Sequence, residues 1–174
     1  MGVCNEMEEK MDSLQWDVLE NIVSGNGGVS SVVWESFDYN MTKQIARFLG
    51  EKVLPGTVIS LIGDLGVGKT VFAQGFAEGL KIDDMVNSPT FTIVQIYEEG
   101  RIPLYHFDVY RIEDPDEMYE VGFEDYFYGE GVCLVEWADL IRELLPENHI
   151  RIEIRKNTEK GFDYREITIA KQGV

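Results

Sequence analysis

The segment Gly63-Asp64-Leu65-Gly66-Val67-Gly68-Lys69-Thr70 constrains this chain more than any other. Its pattern, Gly-x4-Gly-Lys-Thr, requires a strand running in and a helix running out, because only that geometry turns successive backbone N–H groups toward one point. Both neighbours are predicted. Thr57–Ile62, behind the Pro55-Gly56 turn, is a run of β-branched and apolar residues, and a helix follows over about Lys69–Leu80. Gly63, Gly66 and Gly68 permit backbone angles closed to other residues and a close approach to a ligand. The N–H groups of Gly66–Thr70 form an anion nest at the helix N-terminus. Lys69 supplies a movable positive charge for β- and γ-phosphates, and the Thr70 hydroxyl is placed to ligate Mg2+. The expected ligand is a nucleotide triphosphate.

Phosphate chemistry with a metal also calls for carboxylates near the γ-phosphate. In an open α/β sheet these sit at the carboxyl ends of strands, facing the ligand crevice. Two candidates end apolar strands: Asp108 after Ile102–Phe107, and Glu136 after Val132-Cys133-Leu134-Val135. Glu136 has the stronger local context, and each competes with the reading of a strand-end acid in a charge pair. Thr90, in Ser88-Pro89-Thr90, is a candidate γ-phosphate sensor, although a Pro there also simply makes a turn. His106 reads as a hydrogen-bonded structural histidine and Trp137 as a core ring.

The rest of the chain alternates strand and helix. Val32–Phe37 reads as a strand, with Asp38 or Asn40 capping a helix whose apolar face is Met41, Ile45, Phe48, Leu49 and Val53. Phe91–Tyr97 and Ile102–Asp108 read as strands around the turn Glu98-Glu99-Gly100, and Asp114-Pro115 opens a short helix to about Val121. Ala138–Leu145 reads as a helix stopped by Pro146. Ile150–Arg155 and Tyr164–Ala170 form a C-terminal antiparallel strand pair. The fold class is therefore three-layered α/β, a P-loop NTPase architecture with a mixed, mainly parallel central sheet. Residues 1–30 read as an extension, with a stripe of Leu14, Val18, Leu19 and Ile22 on a short helix and a Gly-rich linker at Ser24–Gly28. Residues 31–174 are expected to form the P-loop domain, an ATPase domain if the nucleotide is ATP.

Composition narrows the setting. With 32 acidic against 15 basic residues the formal charge is −17, which repels a phosphate backbone and argues against independent nucleic-acid binding. Such a surface suits solubility, or a basic protein partner. No apolar run reaches the roughly 18–20 residues of a membrane span. The N-terminus is acidic and shows no signal-peptide pattern, and the two cysteines, Cys4 and Cys133, make no disulfide framework. A cytoplasmic protein is expected.

Taken together, Gly63–Thr70, Asn87-Ser88-Pro89-Thr90-Phe91-Thr92, Tyr105-His106-Phe107-Asp108-Val109-Tyr110-Arg111 and Cys133-Leu134-Val135-Glu136-Trp137 resemble the TsaE (YjeE) ATPases of bacterial tRNA threonylcarbamoyladenosine synthesis. Asp114–Met118 and Gly122–Phe127 follow the same pattern in order, so the resemblance runs from about Ser36 to Arg165. It implies a small Mg-dependent ATPase, slow without its partners TsaB and TsaD. TsaD transfers the threonylcarbamoyl group to adenosine 37 of ANN-reading tRNAs, and tRNA is met only through the complex. Carried over by position, Lys69, Asp108 and Glu136 are catalytic, and Thr70 and Glu136 serve Mg2+. ATP is contacted by Asp64 to Thr70, by Thr90, Asp108, Trp137 and Asp139, and by Tyr39 and Thr42 toward the adenine.

Two departures from the family pattern bear on the site. Glu136-Trp137-Ala138-Asp139 stands where the family has Glu-Trp-Pro, which puts the placement of Asp139 in question. Gly161-Phe162 stands where it has Gly-Arg, leaving Arg165 or Lys160 for that nucleotide contact. Other readings remain. A small-molecule kinase would carry an Arg-rich lid, and here Arg142 stands alone after the last core helix. A GTPase would carry Asn-Lys-x-Asp, which is absent. A nucleotide-gated binding module shares every residue above and differs only in turnover.

Overall fold

A computed structural model describes residues 14–24 and 31–173. Cys4 and most of the Gly-rich linker lie outside the described residues. Helix α1 covers residues 14–24. The chain continues through β1 (Ser31–Ser36), α2 (Tyr39–Lys52), β2 (Val58–Ile62) and α3 (Lys69–Gly79). A hairpin of β3 (Val94–Tyr97) and β4 (Leu104–Asp108) leads to the short helices α4 (Glu117–Val121) and α5 (Phe123–Phe127). Then come β5 (Val132–Glu136), a 3-10 segment at Ala138–Leu144, β6 (Ile150–Lys156) and β7 (Arg165–Lys171).

The seven strands form one sheet in the order β1-β7-β6-β2-β5-β4-β3. The pairs β6–β2, β2–β5 and β5–β4 are parallel, whereas β1–β7, β7–β6 and β4–β3 are antiparallel. The sheet is mixed, as expected, but not mainly parallel. Short connections join β3 to β4 and β6 to β7, and a parallel pair needs a long crossover that such connections cannot make. β1 then adds to the β7 edge.

Side-chain alternation along the central strands builds two cores. Ile59, Leu61, Leu104 and Leu134 face α1, α2 and α3, while Val58, Phe107, Cys133 and Val135 face α4, α5 and the 3-10 segment. The three layers follow. Helix α1 belongs to the first core: Leu19 and Ile22 are buried there, and Trp16 packs against Trp34 and Phe48 at ring separations of 4.4 and 4.5 Å. Leu14, placed on its apolar stripe by spacing, is exposed.

Some local expectations shift. Residues 90–93 form a turn rather than the start of β3, and Ile93 takes a positive φ of 65°. Ala138–Leu144 is a kinked 3-10 segment with non-helical angles at Ile141, so no regular helix follows β5. Among the described residues no helix is long and apolar enough to cross a membrane.

Helices α2 and α3 touch through glycines. A Cβ on Gly79 would come 2.1 Å from the Arg47 carbonyl oxygen and 2.8 Å from the Gly50 Cα. Backbone cannot yield locally, so Gly79→Ala should force the helices apart and cost about 1–3 kcal/mol. Urea unfolding with an unchanged m-value checks this; a shift within error of zero would show that the pair separates freely.

Candidate functional site

Three parallel strands end at one edge of the sheet, and the register aligns their ends. Asp108 stands opposite Glu136, and Glu136 opposite Leu61, one residue before the end of β2. The loop Gly63–Gly68 leaves β2 there and enters α3. Its centre is anchored from below: the Val67 side chain is 1% exposed in the core, and its carbonyl oxygen accepts from Arg165 Nε at 2.6 Å. Gly66 and Gly68 have φ of 69° and 113°, the left-handed region that favours glycine. A Cβ on Gly68 would meet nothing within 4 Å, so the cavity side of the loop is open.

A cavity of about 360 Å³ lies over this loop. It is lined by Leu65, Gly66, Gly68, Lys69 and Thr70 from the loop, by Ser88, Thr90, Asp108 and Tyr110 from the β3–β4 side, and by Glu136 and Trp137 from β5. Most of the residues chosen from the sequence thus converge. Lys69 Nζ donates to the Gly63 and Asp64 carbonyl oxygens at 2.6 and 3.1 Å and sits 3.7 Å from the centre of the Trp137 ring. Burial pulls the Lys69 ammonium below the ordinary lysine range, against the opposing pull of Glu136, Asp108, Asp64 and Asp139.

The carboxylates have separate networks. Asp108 Oδ2 accepts from the Ser88 hydroxyl and, at 2.7 Å, from Thr90 Oγ1; Asp108 Oδ1 accepts from the Tyr110 N–H at 3.0 Å. Glu136 Oε1 pairs with His106 Nε2 at 2.9 Å, and Glu136 is 2% exposed. Trp137 follows with φ 60°, and Tyr110 packs against it at 4.9 Å. A bulky residue in that region is strained, and such strain clusters at functional sites.

The remaining choices fall around this centre. Tyr39, Thr42 and Val67 line a small adjoining pocket with Asp38, Asp163 and Arg165, and Gly68 borders both spaces. Asp38 rather than Asn40 caps α2, its Oδ1 accepting from the Met41 N–H at 2.8 Å. Thr42 is pinned by a 2.8 Å hydrogen bond to Ser36. Arg165, not Lys160, reaches the loop; Lys160 pairs with Glu35 instead. Asp64 and Asp139 face a separate depression shared by Trp137, Glu153 and Lys156, so neither lines the main cavity. Lys156 was missed by sequence reasoning. A Cβ on Gly66 would lie 3.7 Å from its Nζ, and only the pairing of β6 with β2 reveals that closeness.

A donor-rich glycine loop, one ammonium and two buried carboxylates suit phosphate together with a divalent cation. Either carboxylate alone would repel an anion, and a cation between them removes that repulsion. Among the described residues no three His, Cys, Asp or Glu side chains converge on a metal-sized site. Mg2+ needs few of them, since it keeps several waters and takes one or two carboxylates plus phosphate oxygens.

Comparison with known proteins identifies the family. The family model "Threonylcarbamoyl adenosine biosynthesis protein TsaE" matches residues 37–167. A tRNA threonylcarbamoyladenosine biosynthesis protein TsaE from Bacillus subtilis is 51% identical over 140 residues, 80% of this chain and 85% of that one. One from Treponema pallidum is 39% identical over 129 residues, 74% of this chain and 93% of its own length. The crystal structure of Bacillus subtilis YdiB superposes with a TM-score of 0.72 at 44% identity, covering 85% of this chain and 90% of that one. The chain belongs to the TsaE family of tRNA threonylcarbamoyladenosine biosynthesis.

Proposed function

We propose that this protein is the ATP-binding and ATP-hydrolysing subunit that sustains formation of N6-threonylcarbamoyladenosine at position 37 of ANN-reading tRNAs. It acts in the cytoplasm with TsaB and TsaD and meets tRNA only through that complex. The observation that carries this reading is the convergence of Lys69, Thr70, Asp108 and Glu136 on one open cavity at the ends of parallel strands. Strand, Gly-rich loop and helix in that order support a P-loop architecture.

In this reading the loop N–H groups and Lys69 hold the β- and γ-phosphates, and the adenine lies toward Tyr39, Thr42 and Arg165. Thr70 and Glu136 would hold Mg2+, which when bound offsets charge on the phosphate oxygens. Lys69 leaves its carbonyl partners and the Trp137 face to reach the phosphates. Asp108, with both oxygens engaged, ties the Ser88–Thr90 segment to the strand end rather than taking a proton. Transfer of those hydroxyls from Asp108 to a γ-phosphate would re-anchor the segment on the nucleotide and order it. Nucleotide state then reads out on the surface formed by residues 88–91 and Trp137, and the acidic exterior suits a basic face of TsaD.

Hydrogen exchange tests the coupling: protection at residues 88–93 and 137–139 should rise with Mg-ATP, and unchanged protection in both would sink it. The function itself is tested by reconstitution with TsaB, TsaD, threonylcarbamoyl-adenylate and tRNA. Repeated turnover is expected only with this protein and ATP present. Equal turnover without them would overturn the assignment.

A further inference from the structure

β4 and β5 run parallel with His106 opposite Leu134 and Asp108 opposite Glu136. Strand alternation therefore turns His106 and Glu136 to the same face, between Leu104 and Leu134 of the core and the cavity. His106 is wholly buried, and its Nε2 lies 2.9 Å from Glu136 Oε1. The other ring nitrogen, Nδ1, is buried with no partner among the described residues. A bare acceptor tolerates that isolation better than an N–H does. The ring proton thus sits on Nε2 and is donated to the carboxylate.

This bond has a directional consequence. The last torsion of a glutamate is broad and roughly two-fold, so an unheld carboxylate turns freely. A donor fixed on the neighbouring strand holds Oε1 inward and leaves Oε2 for the cavity that Glu136 lines. We propose that His106 is a positioning residue, whose Nε2–H orients Glu136 so that a single oxygen meets the divalent cation. The inference rests on the reading of Glu136 as the metal-side carboxylate. It differs from a purely structural role, which would affect ATP binding with and without metal alike.

Calorimetric titration of ATP into the full chain, in EDTA and across a Mg2+ series, tests this with His106→Leu, His106→Asn and His106→Gln. The Gln amide reaches as far as Nε2, whereas the Asn amide stops at the position of Nδ1. Leu and Asn should raise the Mg2+ needed for half-maximal effect by about ten- to a hundredfold, while Gln stays within about threefold of the parent. Metal-free ATP affinity should be the same in all four proteins. If His106→Leu fails to fold, the Asn–Gln contrast still decides. Equal Mg2+ dependence throughout, or metal-free affinity falling in step, overturns the inference alone. A parent protein whose ATP binding ignores Mg2+ overturns the metal assignment of Glu136, and this inference with it.

Discussion

Glu136→Ala is expected to lower Mg-dependent ATP turnover by at least about a hundredfold while ATP still binds, because preorganised charge at the reacting phosphate is usually the largest single contribution to rate. The carboxylate is 2% exposed and held by His106 at the wall of the cavity. Asp108, the nearest in register, has both oxygens committed to Ser88, Thr90 and the Tyr110 N–H. The Ala variant also leaves both His106 nitrogens unpartnered in the core, at a cost of about 1–3 kcal/mol of stability. Glu136→Gln separates the effects. It keeps an acceptor for Nε2–H, and therefore the fold, while losing the charge. Steady-state phosphate release, ATP calorimetry and urea unfolding on both variants check the pattern. Near-normal turnover in either would rule out Glu136 as the metal-side acid.

Lys69→Ala has the opposite signature: affinity falls and stability does not. The Lys69 ammonium lies at the loop's end among Glu136, Asp108, Asp64 and Asp139. Without it the phosphates lose a charge-assisted contact of about 1.5–3 kcal/mol, roughly ten- to more than a hundredfold in affinity. Lys69→Arg should not restore binding, since a planar fork does not replace a compact point charge inside a tight loop. The stability argument follows from sign. Burial lowers the folded-state value of this lysine, so the fold disfavours its charge wherever the unfolded chain keeps it protonated. Removing the group takes that penalty away and also loses its bonds to the Gly63 and Asp64 carbonyl oxygens, so stability at neutral pH is expected to change little. A Lys69→Ala protein that is markedly less stable, or that binds ATP as tightly as the parent, would contradict this account.

Much of the site was legible before any coordinates because its pieces are local. Gly63–Thr70 announces its own strand, turn and helix within a few residues, and Val132–Glu136 and Leu104–Asp108 carry apolar strands that stop at a carboxylate. Ser88-Pro89-Thr90 signals a turn, and the structure adds what the turn is for: its two hydroxyls hold Asp108. Local pattern misled where neighbours decide. Phe91 belongs to the apparent strand pattern Phe91–Tyr97 yet is 82% exposed, with Arg111 over its ring. Ala138–Leu145 has a helical look, but Trp137 enters it at a left-handed angle while its N–H bonds the Leu61 carbonyl oxygen, and the segment becomes a kinked 3-10 turn. That bend carries Asp139 away from the main cavity.

The sequence by itself determined the glycine-rich loop, the two strand-end acids and the family, since each is written in contiguous residues whose backbone geometry is nearly self-sufficient. Only the tertiary structure decided which strands adjoin β2, and therefore the even division between parallel and antiparallel pairs. The same pairing brings Lys156 and Arg165 to the loop, sends Lys160 to Glu35, lays Trp137 against Lys69 and sets His106 against Glu136. Strand order is fixed by long-range packing of similar apolar faces, a choice that no local run of residues encodes.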